Sequence, residues 1–186
     1  MKRGKRGLTL LELMIAIVVM VFVVGAVSVS MTYVLRQVSV LAERYTMYTQ
    51  VAYAVDDIAA YTHAAARVAE GSFFSSTGGS RSEFSFLGEK DIFNVTPGNL
   101  ADKVNYQYYV DTASRDLVRQ ADTGRREVLV EGKYNPSVNF EYVAGDEPNV
   151  MVVKVNATSS RFATGGLARP VAKMVAVRFW FANIVQ

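Results

Sequence analysis

The residue with the clearest chemical potential near the start of the chain is Glu12, a carboxylate inside an otherwise apolar run. From Leu13 to Leu35 the sequence contains no charged side chain. A carboxylate among Leu, Ile and Val loses its hydration, which is costly unless a cation or hydrogen-bond donors satisfy it. The position of Glu12 therefore indicates a specific partner for its charge.

The segment that must position Glu12 is long enough to cross a membrane. Residues 13–35 would form a helix of roughly 34 Å at about 1.5 Å per residue, against a hydrocarbon core of ~30 Å. Four basic residues precede Gly7: Lys2, Arg3, Lys5 and Arg6. By the positive-inside rule they keep the N-terminus cytoplasmic, and everything after the helix is exported.

Two simpler interpretations of this segment are open. A cleaved secretory signal also has a basic start, and Ala26-Val27-Ser28 would serve as its cleavage site. Its apolar core has only about 7–15 residues, which is shorter than this run. A plain single-span anchor explains the length and orientation. Neither interpretation explains Glu12 or the junction Gly7-Leu8-Thr9.

The stretch Gly7-Leu8-Thr9-Leu10-Leu11-Glu12-Leu13-Met14 resembles the processing and assembly signature of type IV pilins and type II secretion pseudopilins. In that family a membrane-embedded aspartyl enzyme, prepilin peptidase, cuts after the glycine and methylates the new N-terminal amine. The resemblance implies a cut between Gly7 and Leu8, N-methylation of Leu8, and an assembly role for Glu12 and Thr9. The family most often has Phe where this chain has Leu8.

Cleavage after Gly7 would create a charge partner for Glu12. The new cationic amine on Leu8 lies four residues before the carboxylate. On a neighbouring subunit, that amine would neutralise Glu12 and select one axial stagger between the two helices. A buried ion pair of this kind contributes specificity more than net stability.

Composition excludes several classes of function. The 186-residue chain has 20 Lys and Arg against 17 Asp and Glu, but four basic residues precede Gly7, which leaves 16 against 17. The nearly neutral remainder does not predict nucleic-acid binding. Cysteine is absent and His63 is the single histidine, so thiol chemistry, a multi-histidine metal site and a Ser-His-Asp triad are not expected. We expect no catalytic residue, no metal and no cofactor, with His63 structural or solvent-facing.

The helical pattern continues beyond the apolar run. Apolar and aromatic residues recur at three- and four-residue steps from Val34 to Thr62. Polar residues repeat every seven positions on another face: Arg36, Glu43, Gln50 and Asp57. This period predicts one helix from about Thr9 to about Val68, ending before Gly71. Five tyrosines along it are expected to pack in the core or in interfaces: Tyr33, Tyr45, Tyr48, Tyr53 and Tyr61.

Beyond residue 70 the period changes. Residues 71–82 are rich in Gly and Ser and are expected to form the loop that leaves the helix. Alternating or β-branched runs then predict strands at Glu83–Leu87, Lys103–Asp111, Asp116–Gln120, Glu127–Glu131, Ser137–Val143, Val150–Asn156 and Val171–Ile184. Turns are expected at Asp111–Ser114 and Gly145–Asn149.

The expected fold class is α+β, a pilin-like long N-terminal α-helix packed against an antiparallel β-sheet. The predicted division of the chain has four segments. These are a leader peptide (1–7), a transmembrane and assembly helix (8–35), the amphipathic half of the same helix (36–70), and a globular sheet domain (71–186).

The strands add a second resemblance. Asp116-Leu117-Val118-Arg119, then a Leu-containing strand from Glu127 to Gly132, then Phe140-Glu141-Tyr142 are similar in order to PilW- and PulJ-type minor pilins. Residues 156–170 form a polar loop that is either a specificity surface or a mobile loop without a partner. Trp180, in the final strand, is expected to lie in the core.

These features predict a structural subunit and not an enzyme. The main hypothesis is a minor pilin or pseudopilin near the tip of a type IV pilus or type II secretion-like filament. The alternatives are a major filament subunit or, in a different class, a single-span periplasmic binding or sensor domain whose N-terminus stays uncut. The resemblance implies three partners: prepilin peptidase, other pilin subunits through the N-terminal helix, and the inner-membrane assembly platform. The expected location is the bacterial inner membrane, then a periplasmic or extracellular filament.

Overall fold

A computed structural model describes residues 9–63, 65–68, 79–90, 103–142, 150–159 and 170–178 of the chain. Their regular elements are α1 (Leu10–His63), β1 (Ala65–Val68), β2 (Gly79–Arg81), β3 (Phe84–Glu89), β4 (Lys103–Val110), β5 (Leu117–Ala121), β6 (Arg126–Val130), β7 (Ser137–Tyr142), β8 (Val150–Ala157) and β9 (Val171–Arg178). The chain divides into two compact units whose boundary falls within α1, between Tyr45 and Thr46. We call residues 10–45 the apolar half of α1 and residues 46–63 its docked half.

The apolar half of α1 presents its side chains outward all round. Every residue from Thr9 to Ser39 is exposed. Phe22 and Val29 keep 74% and 72% of their surface accessible. Because the backbone hydrogen bonds are satisfied inside the helix, this surface suits hydrocarbon or other apolar helices and not water.

The docked half of α1 buries one stripe in its own unit. The buried apolar residues and threonine of this stripe recur every three or four positions: Met47, Val51, Ala54, Val55, Ile58 and Thr62. This confirms the predicted amphipathic period from Val51 to Thr62. Of the five helix tyrosines expected in the core or in interfaces, Tyr33, Tyr45, Tyr48 and Tyr53 are at least half exposed and so do not lie in the described core. Their packing in interfaces stays a prediction. Tyr61 is half-buried, with its ring centroid 5.0 Å from that of Tyr106.

The helix ends at His63 and not near Val68 as predicted. Ala65–Val68 instead forms strand β1, which pairs antiparallel with β3 and shifts register between Ala65 and Arg67. Alanine is the strongest helix former, but helix propensities differ by less than about 1 kcal/mol per residue for most residue types, so pairing with the edge of β3 outweighs the local preference. The predicted amphipathic segment 36–70 therefore contains a helix and a strand.

The strands form two antiparallel sheets where the sequence predicted one. Five strands lie in the order β1-β3-β4-β5-β6, and four lie in the order β2-β7-β8-β9. Alternation is regular in β8, where Met151, Val153, Val155 and Ala157 are buried. The rings of Phe84 and Phe140, one from each sheet, lie 5.3 Å apart between centroids, so the sheets share one core.

The seven predicted strands correspond to β3 through β9, with ends that differ by one or two residues where both are described. The part of the last predicted strand beyond Arg178 lies outside the described residues. β2 lies inside the predicted loop 71–82, since it pairs with β7 between Gly79 and Arg81. The predicted turn at Asp111–Ser114 is present, and the Asp111 backbone N–H donates to the Asp116 carbonyl oxygen at 2.9 Å. The predicted turn at 145–149, most of the 156–170 loop and Trp180 lie outside the described residues.

Candidate functional site

Thr9 and Glu12 form a capping box at the start of α1. The Glu12 backbone N–H donates to Thr9 Oγ1 at 3.3 Å. In return, Glu12 Oε2 accepts from the Thr9 backbone N–H at 2.9 Å and from the Thr9 hydroxyl at 3.0 Å. The first turn of a helix leaves its N–H groups without intrahelical acceptors, and this reciprocal arrangement satisfies two of the donors there.

Both contacts of the Glu12 carboxylate fall on Oε2. Toward the residues that the structure describes, Oε1 makes no hydrogen bond. A carboxylate has acceptor sites on both oxygens, so the cap leaves room for a charged donor from another molecule. Gly7 and Leu8, the predicted cleavage and methylation positions, lie outside the described residues.

The comparisons with known proteins bear on this same end of the chain. Residues 2–28 match the family model described as the prokaryotic N-terminal methylation motif. The chain carries the type IV pilin signature. The matched range includes Gly7, Leu8, Thr9 and Glu12. No curated protein and no solved structure matches the chain.

The methylation motif and the apolar half of α1 both indicate a membrane-anchored N-terminal helix. Among the described residues there is one helix, α1, whose length and apolar composition suffice to cross a membrane. Motif and helix together fit an inner-membrane-anchored, single-pass protein of the pilin or pseudopilin kind. The signature implies processing by prepilin peptidase and assembly with other pilins.

A second polar constellation lies in the other unit, where the docked half of α1 meets the five-stranded sheet. Arg119 of β5 contacts Asp57 of α1, with Nη1 and Oδ2 2.5 Å apart, and its Nη2 pairs with Glu127 of β6. The Tyr108 hydroxyl donates to Asp57 Oδ1 at 2.8 Å. The guanidinium carbon lies 3.8 Å from the centre of the Tyr61 ring. We call Asp57, Arg119 and Glu127 the ion cluster.

The ion cluster carries two carboxylates for one guanidinium, and its inner members are almost fully buried. Asp57 keeps 8% and Arg119 6% of their surface accessible. Burial raises the pKa of Asp57, opposed by Arg119 and by the Tyr108 hydrogen bond. Burial is the largest single influence on the pKa of Arg119 and lowers it, but Asp57, Tyr108, Tyr61 and Glu127 together raise it more, so the net shift is upward. Arg119 is therefore a permanent cation held by two elements other than its own.

The ion cluster was missed by the sequence analysis, although two signals for it were present. Arg119 lies between Leu117 and Ala121 at alternating positions of β5, and both neighbours face the core. Asp57 lies three residues after Ala54 and directly before Ile58, within the buried stripe. The seven-residue polar repeat placed Asp57 on another face than the apolar residues, but Asp57 is buried together with them.

The remaining chemical expectations concern His63 and metals. His63 ends α1 and is exposed, which confirms that it is solvent-facing. In the described part of the chain, no group of three His, Cys, Asp or Glu side chains is arranged to hold a metal ion. Every buried side-chain nitrogen and oxygen described there has a hydrogen-bond partner.

Proposed function

We propose that this chain is a minor pilin or pseudopilin of a type IV pilus or type II secretion-like filament. The observation that carries the proposal is that the methylation motif coincides with a carboxylate-capped start of an uncovered apolar helix. The chain inserts with its N-terminus cytoplasmic, because the basic residues before Gly7 stay on that side. Prepilin peptidase then cuts after Gly7 and methylates Leu8.

Glu12 is the assembly residue in this proposal. In a filament its carboxylate meets the N-terminal amine of a neighbouring subunit, which places a cation against Oε1 while Oε2 stays with Thr9. The pair selects one axial stagger between helices whose apolar surfaces alone would allow several. Thr9 holds the carboxylate in place through the capping box.

A position near the filament tip is supported by the sequence of the exported part. The order of strands with Leu117, Arg119, Gly132 and Phe140 is similar to PilW- and PulJ-type minor pilins. The chain also has no cysteine with which to close the C-terminal loop that many major pilins close by a disulfide. Such a subunit works with the inner-membrane assembly platform and takes part in filament initiation.

The test of processing is the mass of the membrane-extracted protein and of a Gly7→Val variant. We expect the native chain to begin with N-methylated Leu8 and to have 179 residues. Gly7→Val should remain full-length and inserted, because a Cβ blocks the close approach that cleavage requires. Leu8→Phe, the residue usual in the family, is the matched control and should be trimmed normally.

The subunit class is tested by deleting the protein. A tip-associated minor subunit predicts fewer filaments while the major subunit is still synthesised and inserted. Complete loss of the main filament protein from the sheared fraction would identify a major subunit instead. An uncut native N-terminus would favour the single-span anchored domain and overturn the proposal.

A further inference from the structure

The ion cluster joins the docked half of α1 to two strands of the five-stranded sheet. Asp57 belongs to the helix, Arg119 to β5 and Glu127 to the edge strand β6. The Tyr53 hydroxyl, also from the helix, donates to Glu127 Oε1 at 2.9 Å. Near one end of β6, Gln50 and Glu131 form two hydrogen bonds, at 2.8 Å and 3.2 Å. The helix residues in these contacts, Gln50, Tyr53 and Asp57, recur at three- and four-residue steps and therefore lie on one side of the helix.

The apolar contacts of the same helix define its axial position only in part. Shifting the helix by four residues moves it about 6 Å along its axis and rotates it by about 40°. In that shift Val55 takes the place of Val51 without a change of side chain, whereas Ile58 takes the place of the fully buried Ala54. The shifted stripe still faces the sheet, and packing disfavours it through this change of size.

The polar contacts distinguish these registers. A shift of four residues brings Tyr53 to the place of Asp57 in one direction and Tyr61 in the other. Neither side chain is an anion, so Arg119 would lose its most buried counter-charge, and such a loss is strongly destabilising. The same shift brings Thr46 or Ala54 to the place of Gln50, opposite Glu131.

We infer that the Asp57–Arg119–Glu127 cluster is a register lock, which holds the docked half of α1 at one axial position on the sheet. The lock belongs to the unit that contains residues 46–63 and the sheets, and it does not depend on the filament role. Its members act by positioning and not by catalysis. Specifying one register is the best-attested use of a buried ionic or polar group.

Disulfide trapping in the full-length, detergent-solubilised protein tests the lock, and the chain is suited to it because it has no cysteine. Glu131→Cys is combined in turn with Gln50→Cys, Thr46→Cys and Ala54→Cys. Each pair is made in the native background and in one where the lock is replaced by Asp57→Leu, Arg119→Met and Glu127→Gln. Cross-linking yield under mild oxidation and near-ultraviolet circular dichroism are measured for all six proteins.

In the native background, the pair at 50 and 131 should cross-link at least about tenfold faster than either shifted pair, since losing a buried counter-charge costs several kcal/mol. In the lock-free background the preference for position 50 should be much smaller while the domain stays folded, because apolar replacement of a buried ion pair is often neutral. Arg119→Lys, which keeps charge without the forked geometry, should lie between. An undiminished preference for position 50 in the folded lock-free protein overturns the inference, as does equal trapping of all pairs in the native one. If the lock-free protein does not fold, the Arg119→Lys series decides the matter by the same criterion.

Discussion

Glu12 combines two uses of one carboxylate, capping its own helix and offering a charge to another molecule. Two substitutions of Glu12 distinguish the capping role from the charge-pairing role. Glu12→Gln keeps an acceptor for the capping box and loses the charge, whereas Glu12→Ala loses both. Since the neighbour's amine needs a counter-charge, the proposed function requires the two variants to behave alike in assembly.

We predict that Glu12→Ala and Glu12→Gln are inserted and processed but depleted from sheared filaments. Removing the charge makes insertion easier, by at most about 2.5–3.5 kcal/mol on insertion scales. It leaves an amine unpaired in an apolar filament interior, a penalty of several kcal/mol. An immunoblot of sheared and membrane fractions measures the outcome. Native-level incorporation of Glu12→Gln would show that capping and not charge pairing is what assembly needs.

Gly132 is a residue whose missing side chain is required by a close backbone approach. A Cβ at this position would lie 2.1 Å from the Ser114 carbonyl oxygen, and the Gly132 N–H donates to Asp116 Oδ1 at 2.7 Å. The segment after β6 therefore lies directly against the turn between β4 and β5. A side chain here forces the two apart and lengthens that hydrogen bond.

We predict that Gly132→Ala lowers the free energy of unfolding by about 1–3 kcal/mol, the usual cost of overpacking. Urea denaturation followed by circular dichroism measures it. Gly124→Asn is the matched control, because Gly124 has a φ of 85° with open space around it and Asn tolerates that conformation. Equal stability of Gly132→Ala and the native protein would contradict the close contact.

The contribution of Asp57 to the free energy of unfolding depends on pH, and the direction of its pKa shift sets the sign of that dependence. Burial is the main cause that raises its pKa, and Glu127 adds to it because one guanidinium serves two carboxylates. A carboxyl whose pKa is higher in the folded state than the ordinary value of about 3.9 binds its proton more tightly when folded. Its contribution to stability is therefore complete below about pH 3.9 and declines as the pH rises through the raised pKa.

We predict that Asp57→Asn removes this decline. The native protein should lose stability relative to the variant as the pH rises from about 3.9. The measurement is urea denaturation of both proteins at matched pH values from acid to neutral. Parallel profiles would mean that Asp57 does not titrate differently on folding. A native protein that gains stability with pH would mean that Arg119 outweighs burial.

Among the elements, α1 is one helix with two different surfaces. Its apolar half has no charge between Leu13 and Leu35 and is exposed on every side as far as Ser39. Its docked half has one buried stripe and polar contacts with β5 and β6. A helix that is apolar all round needs lipid or other helices, and an amphipathic helix needs one surface to cover its stripe. The apolar half therefore requires lipid or other helices around it, whereas the docked half requires only the sheets against its buried stripe.

For the whole molecule, this difference predicts that the second unit folds without the first. A truncated chain beginning at Arg36 keeps the entire docked half and all nine described strands. We expect a soluble protein with mixed helix and strand signal and a cooperative thermal transition, because the buried core lies entirely at or beyond Met47. Circular dichroism and calorimetry measure this. A disordered product would mean that another subunit completes the core.

The sequence alone determined the features that depend on local order along the chain. The membrane-length helix, the carboxylate Glu12 in its first turn, the α+β class and seven strands follow from charge, spacing and period, which neighbouring residues set together. The methylation motif agrees with the first two of these. Local patterns of this kind do not require knowledge of what lies across the core.

Tertiary structure decided the features that depend on partners distant in sequence. Ala65–Val68 reads as helix locally and becomes a strand because the edge of β3 is available to it. Asp57 occupies a polar repeat and is nevertheless buried, because Arg119, 62 positions away, brings a cation to it. The division into two sheets likewise depends on which edges pair. Each of these outcomes is settled by a contact whose energy exceeds the local preference, and such contacts exist only after the chain has folded.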